Sequence, residues 1–397
     1  MRDIRPLIQK MLPRLRTLRR ELHQYPEIKY EEVETARRIT EFLSEIPGLK
    51  ILTKVAVTGV VATLCPEKII SGPCVALRSD IDALPMLDES GLPHASKIAG
   101  RAHTCGHDGH IVSLLGAALV LSEIRDELEG PVKFLFQPAE EGGAGAKRMI
   151  DEMALQDPPV AAIFGYHNMP LPDLPFGAIA TREGPLMAAC SMFKLRICGK
   201  AGHAAYPHLV IDPVIIGAQL ITALQTIVSR TLNPVNNGVV SVTAFECKSG
   251  FTSIPAEATM TGTIRALDDA VLTKAETRLV EISNGICATF GATVEVEVFG
   301  HYPCLTNHPG CVNHVAAVAN NTGRSHNLRV KFPPVMGGED FAYYGLHVPA
   351  CFYFIGSKPD AVTEVPMCHN PKFDFNDDIL ADAVEMHVEI ARRFRTV

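Results

Sequence analysis

The stretch His103-Thr104-Cys105-Gly106-His107-Asp108-Gly109-His110 places three histidines, a cysteine and an aspartate within one short segment. In an extended segment, side chains two residues apart point the same way, so His103, Cys105 and His107 can share one face. Imidazole and thiolate together suit zinc and similar transition metals, and glycines let a backbone pass close to an ion. The stretch therefore predicts a metal site, with a polar loop around a buried structural cysteine as the alternative.

Other residues with metal-binding chemistry follow predicted strands. The strand Cys74–Leu77 leads to Asp80, the strand Val132–Phe136 to Glu140-Glu141, and the strand Ala161–Gly165 to His167. Catalytic and ligand-binding groups of open α/β sheets collect outside the carboxyl ends of parallel strands. The candidate metal ligands are therefore Cys105, His107, Glu141, His167 and His369.

This ligand set predicts two divalent metal ions, because it is larger than one tetrahedral site uses. Mixed sulfur, nitrogen and oxygen ligation admits zinc, manganese, cobalt or nickel. Two neighbouring ions acidify and orient a water molecule and polarise the carbonyl group that it attacks. The predicted chemistry is hydrolysis.

The adjacent acids Glu140 and Glu141 suggest two different roles, one as a metal ligand and one as a general base. Neighbouring residues at a strand-to-helix turn point in different directions, so both are not expected to bind one ion. One carboxylate can bind metal while the other acts as general base and passes the proton to the leaving nitrogen. The alternative is that both stabilise the dipole of the following helix.

Two residues further along the chain are weaker candidates. His203 lies in Gly199-Lys200-Ala201-Gly202-His203-Ala204-Ala205, at a predicted turn, where a solvated histidine is the simpler explanation. Arg265, on a predicted strand, can bind a substrate carboxylate with two hydrogen bonds, although surface arginines are common.

The order of predicted elements indicates one domain inserted into another. Residues 1–185 and 301–397 have α/β character, and they form the two parts of the predicted catalytic domain. Residues 186–300 read as strand, helix, strand, strand, helix and strand, the βαββαβ order of a ferredoxin-like unit.

Composition excludes several classes of protein. A chain of 397 residues suggests two or three domains. A net charge of −7 argues against nucleic-acid binding, and no apolar run is long enough to cross a bilayer. Eleven cysteines without C-x-x-C pairs or a secretory leader suggest a reducing compartment. The N-terminus is rich in arginine, but its acidic residues argue against a mitochondrial presequence. We expect a cytoplasmic protein.

At this point the motifs resemble a known family, the M20 metallopeptidases, and in particular their amidohydrolase branch. The resemblance runs in order across nearly the whole chain. The matching segments are residues 20–27 (Arg-Glu-Leu-His-Gln-Tyr-Pro-Glu), 78–85, 103–110, 136–141 (Phe-Gln-Pro-Ala-Glu-Glu), 199–205, 262–265 (Gly-Thr-Ile-Arg), 337–342 and 368–371 (Cys-His-Asn-Pro).

The resemblance implies a zinc-peptidase-like catalytic domain, with a mixed sheet covered by helices on both faces, and an inserted lid. It implies a two-metal centre with the five ligands named above and Glu140 as the general base. His203 would polarise the scissile carbonyl and stabilise the oxyanion, in some relatives from the partner subunit of a dimer. Arg265 would hold the carboxylate of the amino-acid portion.

The implied activity is hydrolysis of the amide bond of N-acyl amino acids, such as hippurate-like or N-acetyl compounds, by a metal-activated water. The alternatives are a dipeptidase or carboxypeptidase, an N-carbamoyl amino acid hydrolase, or a non-catalytic metal-binding protein. A small-molecule substrate is expected, and a homodimer through the lid.

Two positions depart from the family pattern. The wider family has His-x-Asp where this chain has Arg78-Ser79-Asp80, so that histidine ligand is absent and Asp80 or Asp82 is expected to support catalysis without binding metal. The lid segment Asn-x-Ile-Pro is replaced by Thr252-Ser253-Ile254-Pro255, which weakens any inference about the geometry of the substrate carboxylate.

Overall fold

The computed structural model describes residues 1–65 and 72–396, which divide into two compact units. The first unit is formed by Met1–Leu186, Thr306–Pro333 and Asp340–Val397. The second is formed by Met187–Leu305 and Pro334–Glu339. The role of the second unit as a lid stays a prediction.

The regular elements are these, in chain order. The α-helices are α1 (Arg5–Gln24), α2 (Val33–Ser44), α3 (His107–Glu123), α4 (Gly145–Asp151), α5 (Pro213–Leu224), α6 (Asp269–Thr289), α7 (Pro309–Asn321), α8 (Ala342–Gly345) and α9 (Leu380–Arg393). The strands are β1 (Leu49–Val55), β2 (Gly59–Leu64), β3 (Cys74–Asp80), β4 (Val132–Gln137), β5 (Val160–Met169), β6 (Ile179–Ala180), β7 (Gly184–Met187), β8 (Ala189–Cys198), β9 (Gly202–His203), β10 (Gly238–Glu246), β11 (Ser253–Ile254), β12 (Glu257–Ala266), β13 (Thr293–Tyr302), β14 (Leu305–Asn307), β15 (Leu328–Arg329) and β16 (Ala350–Gly356).

A mixed sheet forms the centre of the first unit, with strand order β1-β2-β4-β3-β5-β16-β6-β15. The central strands β4, β3, β5 and β16 run parallel, whereas β1, β2 and β4 pair antiparallel. Strands β2, β3, β4 and β16 are buried along their whole length, as expected for apolar runs covered on both faces. The predicted mixed α/β fold is confirmed.

Helices cover both faces of this sheet. One face packs with α1, α2, α3, α7 and α9 in a single apolar cluster. Helix α3 is apolar nearly all round and buried, as a central helix must be. On the other face, Phe341 before α8 packs against Phe352 of β16, at 5.0 Å between ring centroids. No helix of the described residues is long and apolar enough to cross a membrane.

The second unit contains a four-stranded antiparallel sheet of order β10-β12-β8-β13. Helices α5 and α6 pack on one face of it, in a core that includes Phe193, Leu220 and Leu279. Strand β8 alternates between buried and more exposed residues, which is typical of a sheet with one covered face. Its main elements follow the predicted βαββαβ order, with the short strands β9 and β11 forming a separate two-stranded pair.

Two elements next to the metal-binding stretch differ from the sequence prediction. The apolar run Ile111–Leu121 predicts a helix that begins at Ile111. Helix α3 instead begins at His107, because Gly106 adopts a left-handed conformation (φ 99°) that turns the chain into the helix. A Cβ at Gly106 would lie 2.1 Å from Oδ1 of Asn168, so only glycine fits. Strand β5 continues to Met169, so His167 lies within the strand and not beyond its end.

Acid is expected to destabilise the first unit through His387. This side chain of α9 is buried, and neither ring nitrogen has a hydrogen-bond partner within the described residues. Burial lowers the pKa of His387 to about 3. Between that value and the ordinary histidine pKa, the unfolded chain binds a proton that the folded chain does not. The free energy of unfolding should therefore fall as the pH drops below about 6.5, by up to about 1.4 kcal/mol per pH unit.

The variant His387→Leu isolates this effect, because leucine has a similar size and does not titrate. We expect urea unfolding curves between pH 7 and pH 4 to show a smaller loss of stability in His387→Leu than in the wild type. Parallel pH dependences of the two proteins would contradict the assignment.

Candidate metal centre

Six of the predicted site residues come from four separate parts of the first unit. Cys105 and His107 lie at the start of α3, and Glu140 and Glu141 follow β4. His167 lies on β5, and His369 lies in the segment between β16 and α9. The structure brings these elements together into overlapping groups whose candidate ligand atoms all lie within 4.8 Å of one another: Cys105, His107 and His167; Cys105, Glu141 and His369; and His107, Glu140 and Glu141.

The closest donor atoms are already at the distances of polar contacts. Sγ of Cys105 lies 3.3 Å from Nε2 of His167. Nε2 of His369 lies 3.2 Å from Oε1 of Glu141. Cys105 and His107 each belong to two groups, so the groups form one continuous set of sulfur, nitrogen and oxygen donors. Such a set fits two neighbouring transition-metal ions.

The hydrogen bonds of the two buried histidines direct the same ring nitrogen toward the centre. Nδ1 of His107 donates to the carbonyl oxygen of Asp82 at 2.9 Å, and Nδ1 of His167 donates to that of Asn168 at 2.7 Å. In the neutral ring, each bond keeps the proton on Nδ1 and leaves Nε2 as the lone-pair donor. Nε2 of His107 is buried without a hydrogen-bond partner in the described part of the chain, and the buried Oε1 of Glu141 lies opposite Nε2 of His369. A cation at this position would satisfy both atoms.

The carboxylates around His107 favour a positive charge at this position. Burial lowers the pKa of His107, but the carboxylates of Asp80, Asp82 and Glu141 outweigh that effect and raise it to about 10. Burial and the nearby imidazole of His110 hold the pKa of His167 well below its usual range, so that ring is neutral. A neutral imidazole is the form that binds metal.

Asp80 contacts two histidines of the candidate centre. Its Oδ1 lies 2.7 Å from Nδ1 of His110, and its Oδ2 lies 3.7 Å from Nε2 of His107. Burial raises the pKa of Asp80, but the charges of His107, His110 and Arg78 outweigh burial and hold it well below its usual range. The carboxylate is therefore ionised and contacts His107 at the edge of the candidate centre.

In the sequence, Arg78 stands out only as the residue that replaces a histidine of the wider family. Its guanidinium is buried and donates to Asp80 at 2.8 Å, to Gln137 at 2.8 Å and to Asp340 at 3.0 Å. Through these hydrogen bonds, Arg78 links the ends of β3 and β4 to the segment before α8. The partner Asp340 is 262 positions away in the chain, so no local pattern could have indicated it.

The turn that carries Glu140 is held in a strained conformation. Ala139 has a positive φ of 55°, which a non-glycine residue rarely adopts. Its N–H donates to the buried carboxylate of Glu32 at 2.9 Å. The side chain of Glu140 is 7% exposed, and its Oε1 accepts a hydrogen bond from the N–H of Asp340 at 3.4 Å. Glu140 thus has a defined position beside Glu141.

His203 and Arg265 belong to the second unit. His203 is exposed on β9, opposite Ser253 of β11, and its Nδ1 accepts from the N–H of Ala205 at 3.1 Å. Arg265 lies on β12, and its Nη1 donates to the carbonyl oxygen of Met336 at 2.8 Å. Their roles toward a substrate stay predictions.

A mixed α/β unit with a cluster of cysteine, histidine and glutamate donors defines a metal-dependent hydrolase. Comparison with known proteins gives the family: the model of "Peptidase family M20/M25/M40" matches residues 76–393. The chain belongs to this family, and the prediction from the motifs is confirmed.

Three relatives illustrate the similarity. N-acetylcysteine deacetylase of Bacillus subtilis (strain 168) is 38% identical, over 95% of this chain and 96% of the relative. IAA-amino acid hydrolase ILR1-like 4 of Arabidopsis thaliana is 37% identical, over 95% and 84%. The crystal structure of the Bacillus subtilis YXEP protein, described as a dinuclear metal-binding peptidase from the M20 family, has a TM-score of 0.80 and 34% identity, over 97% and 98%.

Proposed function

We propose that the chain is an amidohydrolase that cleaves N-acyl amino acids into a carboxylic acid and a free amino acid. The observation that carries the proposal is the joined set of donors around Cys105 and His107, with an additional acid, Glu140, beside it. The names of the two curated relatives, a deacetylase of N-acetylcysteine and a hydrolase of an amino-acid conjugate, support the substrate class.

In this proposal two divalent ions are held by Cys105, His107, Glu141, His167 and His369. When bound, such ions supply the positive charge that acidifies water and polarises an amide carbonyl. Zinc, manganese, cobalt and nickel all suit this mixture of ligands. Asp80 keeps the imidazole of His107 oriented and the centre negatively charged before metal enters.

Glu140 acts as the general base. Its carboxylate takes a proton from the attacking water as the C–O bond forms, and it delivers that proton to the leaving nitrogen as the C–N bond breaks. The products are a carboxylic acid and an amine, so one water is consumed for each amide bond. The hydrogen bond from the N–H of Asp340 keeps the carboxylate of Glu140 in place.

The second unit supplies substrate contacts in this proposal. His203 polarises the scissile carbonyl and Arg265 holds the substrate carboxylate with its remaining guanidinium nitrogens. Residues 186–300 would then act as a lid and as the surface of a homodimer. Thr252, whose carbonyl oxygen accepts from the N–H of Ala204, stands where relatives often have asparagine, so the carboxylate contact should differ in this chain.

Removal of metal tests the proposed function. Dialysis against a chelator should abolish hydrolysis of N-acetyl-L-cysteine and hippurate, and adding back one metal at a time should restore it. Metal content per chain and initial rates are measured on the same samples. Activity that persists in protein shown to be free of metal would contradict the proposal.

A substrate panel separates the alternatives. Dipeptides, peptides with free C-termini and N-carbamoyl amino acids are assayed beside N-acetyl and N-benzoyl amino acids, with the best metal. We expect kcat/KM to be highest for an N-acyl amino acid. A metal-loaded protein that is inert on the whole panel would favour a binding role without catalysis.

A further inference from the structure

A buried cluster of charged side chains lies against α1 and has no role in the proposed chemistry. Arg19 and His23 are one turn apart on this helix, and Arg19 is only 1% exposed. His23 lies in the segment 20–27 that carries part of the family resemblance. The surrounding carboxylates come from three other places in the first unit: Asp88, Asp108, and the pair Asp374 and Asp377.

The two basic residues contact different segments at once. Nη1 of Arg19 lies 2.6 Å from Oδ1 of Asp374 and 3.5 Å from Oδ2 of Asp108. Nε of Arg19 donates to Asp377 at 2.8 Å. Nδ1 of His23 lies 2.8 Å from the same Oδ2 of Asp108. One guanidinium therefore joins the start of α3 to the segment that precedes α9.

Through Asp108, Arg19 is connected to the proposed metal ligand His107. Asp108 follows His107 in the first turn of α3, and its carboxylate is fully buried. The other oxygen of Asp108 accepts the N–H of Gly109 at 3.0 Å. Because the carboxylate is held from α1 and is bonded to its own helix turn, α1 sets the position of the turn that carries His107.

Through Asp374, Arg19 is also connected to a second proposed ligand, His369. The N–H of His369 donates to the carbonyl oxygen of Thr104 at 2.7 Å. The ring of Phe375, next to Asp374, packs so closely on α3 that a Cβ at Gly109 would come within 2.3 Å of it. The segment from His369 to Phe375 is thus docked on the ligand stretch at both ends, and Arg19 holds it from α1.

His369 needs such support. Its backbone has a positive φ of 67°, and a non-glycine residue keeps such a conformation only when its surroundings impose it. Its side chain is 54% exposed and contacts Glu141, itself a proposed ligand, at 3.2 Å. The position of the ring therefore depends mainly on where the backbone of the segment is anchored.

We propose that Arg19, assisted by His23, is a positioning residue for the metal centre. It sets the separation of His107 and His369 by holding Asp108 and Asp374 on one planar guanidinium. The inference rests on the proposed ligand set. Buried ion pairs often add little net stability, whereas the fixed fork of arginine gives orientation that a lysine cannot reproduce.

The variant Arg19→Lys tests this role, because it keeps the charge and loses the fork. Metal-free protein is dialysed against graded Mn²⁺ or Zn²⁺, and bound metal per chain gives a Kd for each site. We expect the Kd of at least one site to rise by about 10- to 100-fold, the effect typical of lost support for a ligand. Urea unfolding of the metal-free protein, measured in parallel, reports any purely structural loss.

Arg16→Lys is the matched control. Arg16 lies on the same helix and contacts Asp378 of the same segment at 3.1 Å, but the pair is exposed. Its metal Kd should equal that of the wild type. Asp374→Asn is a second variant, which weakens the ion pair with Arg19 on the side of His369, together with the contact between Asp374 and His94, and should also weaken metal binding.

The outcomes are distinct. Wild-type Kd values in folded Arg19→Lys and Asp374→Asn would overturn the inference, as would an equal loss in Arg16→Lys. If Arg19→Lys does not fold, Asp374→Asn decides, and failure of both to fold would assign the cluster to fold stability alone. A wild-type protein that binds no metal would instead overturn the proposed function.

Discussion

Glu140→Gln is expected to abolish turnover and leave the metal content unchanged. The amide has nearly the shape of the carboxylate, and its oxygen can still accept the hydrogen bond from the N–H of Asp340. It cannot accept a proton from water at neutral pH. General base catalysis contributes about 10²- to 10⁴-fold, so kcat for an N-acetyl amino acid should fall by at least about 100-fold. Initial rates and metal per chain are measured on the same preparation.

Glu141→Gln is the informative control for this variant. Oε1 of Glu141 is buried and lies among the donor atoms of His107, Cys105 and His369. Replacing a charged oxygen donor by a neutral amide should release metal, and activity should disappear for that reason. Normal turnover by Glu140→Gln would refute its role as base, and loss of metal from that variant would make Glu140 a ligand.

Much of the fold and the candidate centre could be predicted because several candidate residues come directly after predicted strands. Apolar runs such as Cys74–Leu77 indicate strands covered on both faces, and parallel strands bring the residues that follow them to one edge. Glu141 and His167 can therefore be placed near one edge of the sheet from the sequence, and Cys105 and His107 are grouped by their spacing in one short stretch. His369 was predicted from residue type and the family resemblance.

The supporting contacts could not be predicted, because each joins distant parts of the chain. Arg78 reads in the sequence as the loss of a histidine ligand, and only the fold shows that it pairs with Asp340 as well as with Asp80. Arg19 and Asp374 are 355 positions apart. The early start of α3 depends on Gly106 meeting Asn168, another contact between separate elements. Periodicity and local motifs carry no information about such pairs.

Asp80→Asn is expected to destabilise the protein and to weaken metal binding. The carboxylate is fully buried and contacts His110 at 2.7 Å, Arg78 at 2.8 Å and His107 at 3.7 Å. Asparagine carries no negative charge, so it balances the positive charges of these groups less well. Removing one partner from a buried ionic network costs about 3–5 kcal/mol. We expect a loss of about 3 kcal/mol in urea unfolding of the metal-free protein, because Asp340 still compensates Arg78 in part.

The pH dependence of the stability difference between wild type and Asp80→Asn separates the effect of charge from that of packing. The pKa of Asp80 is depressed in the folded state, so its stabilising effect is present above the ordinary aspartate pKa and is lost as the pH falls through the folded value. The stabilisation by Asp80 should therefore persist down to about pH 4 and shrink in stronger acid. Asp126→Asn, which breaks an exposed contact with Arg2, should change stability by less than about 1 kcal/mol. Equal effects of the two variants would mean that Asp80 contributes no more than a surface ion pair.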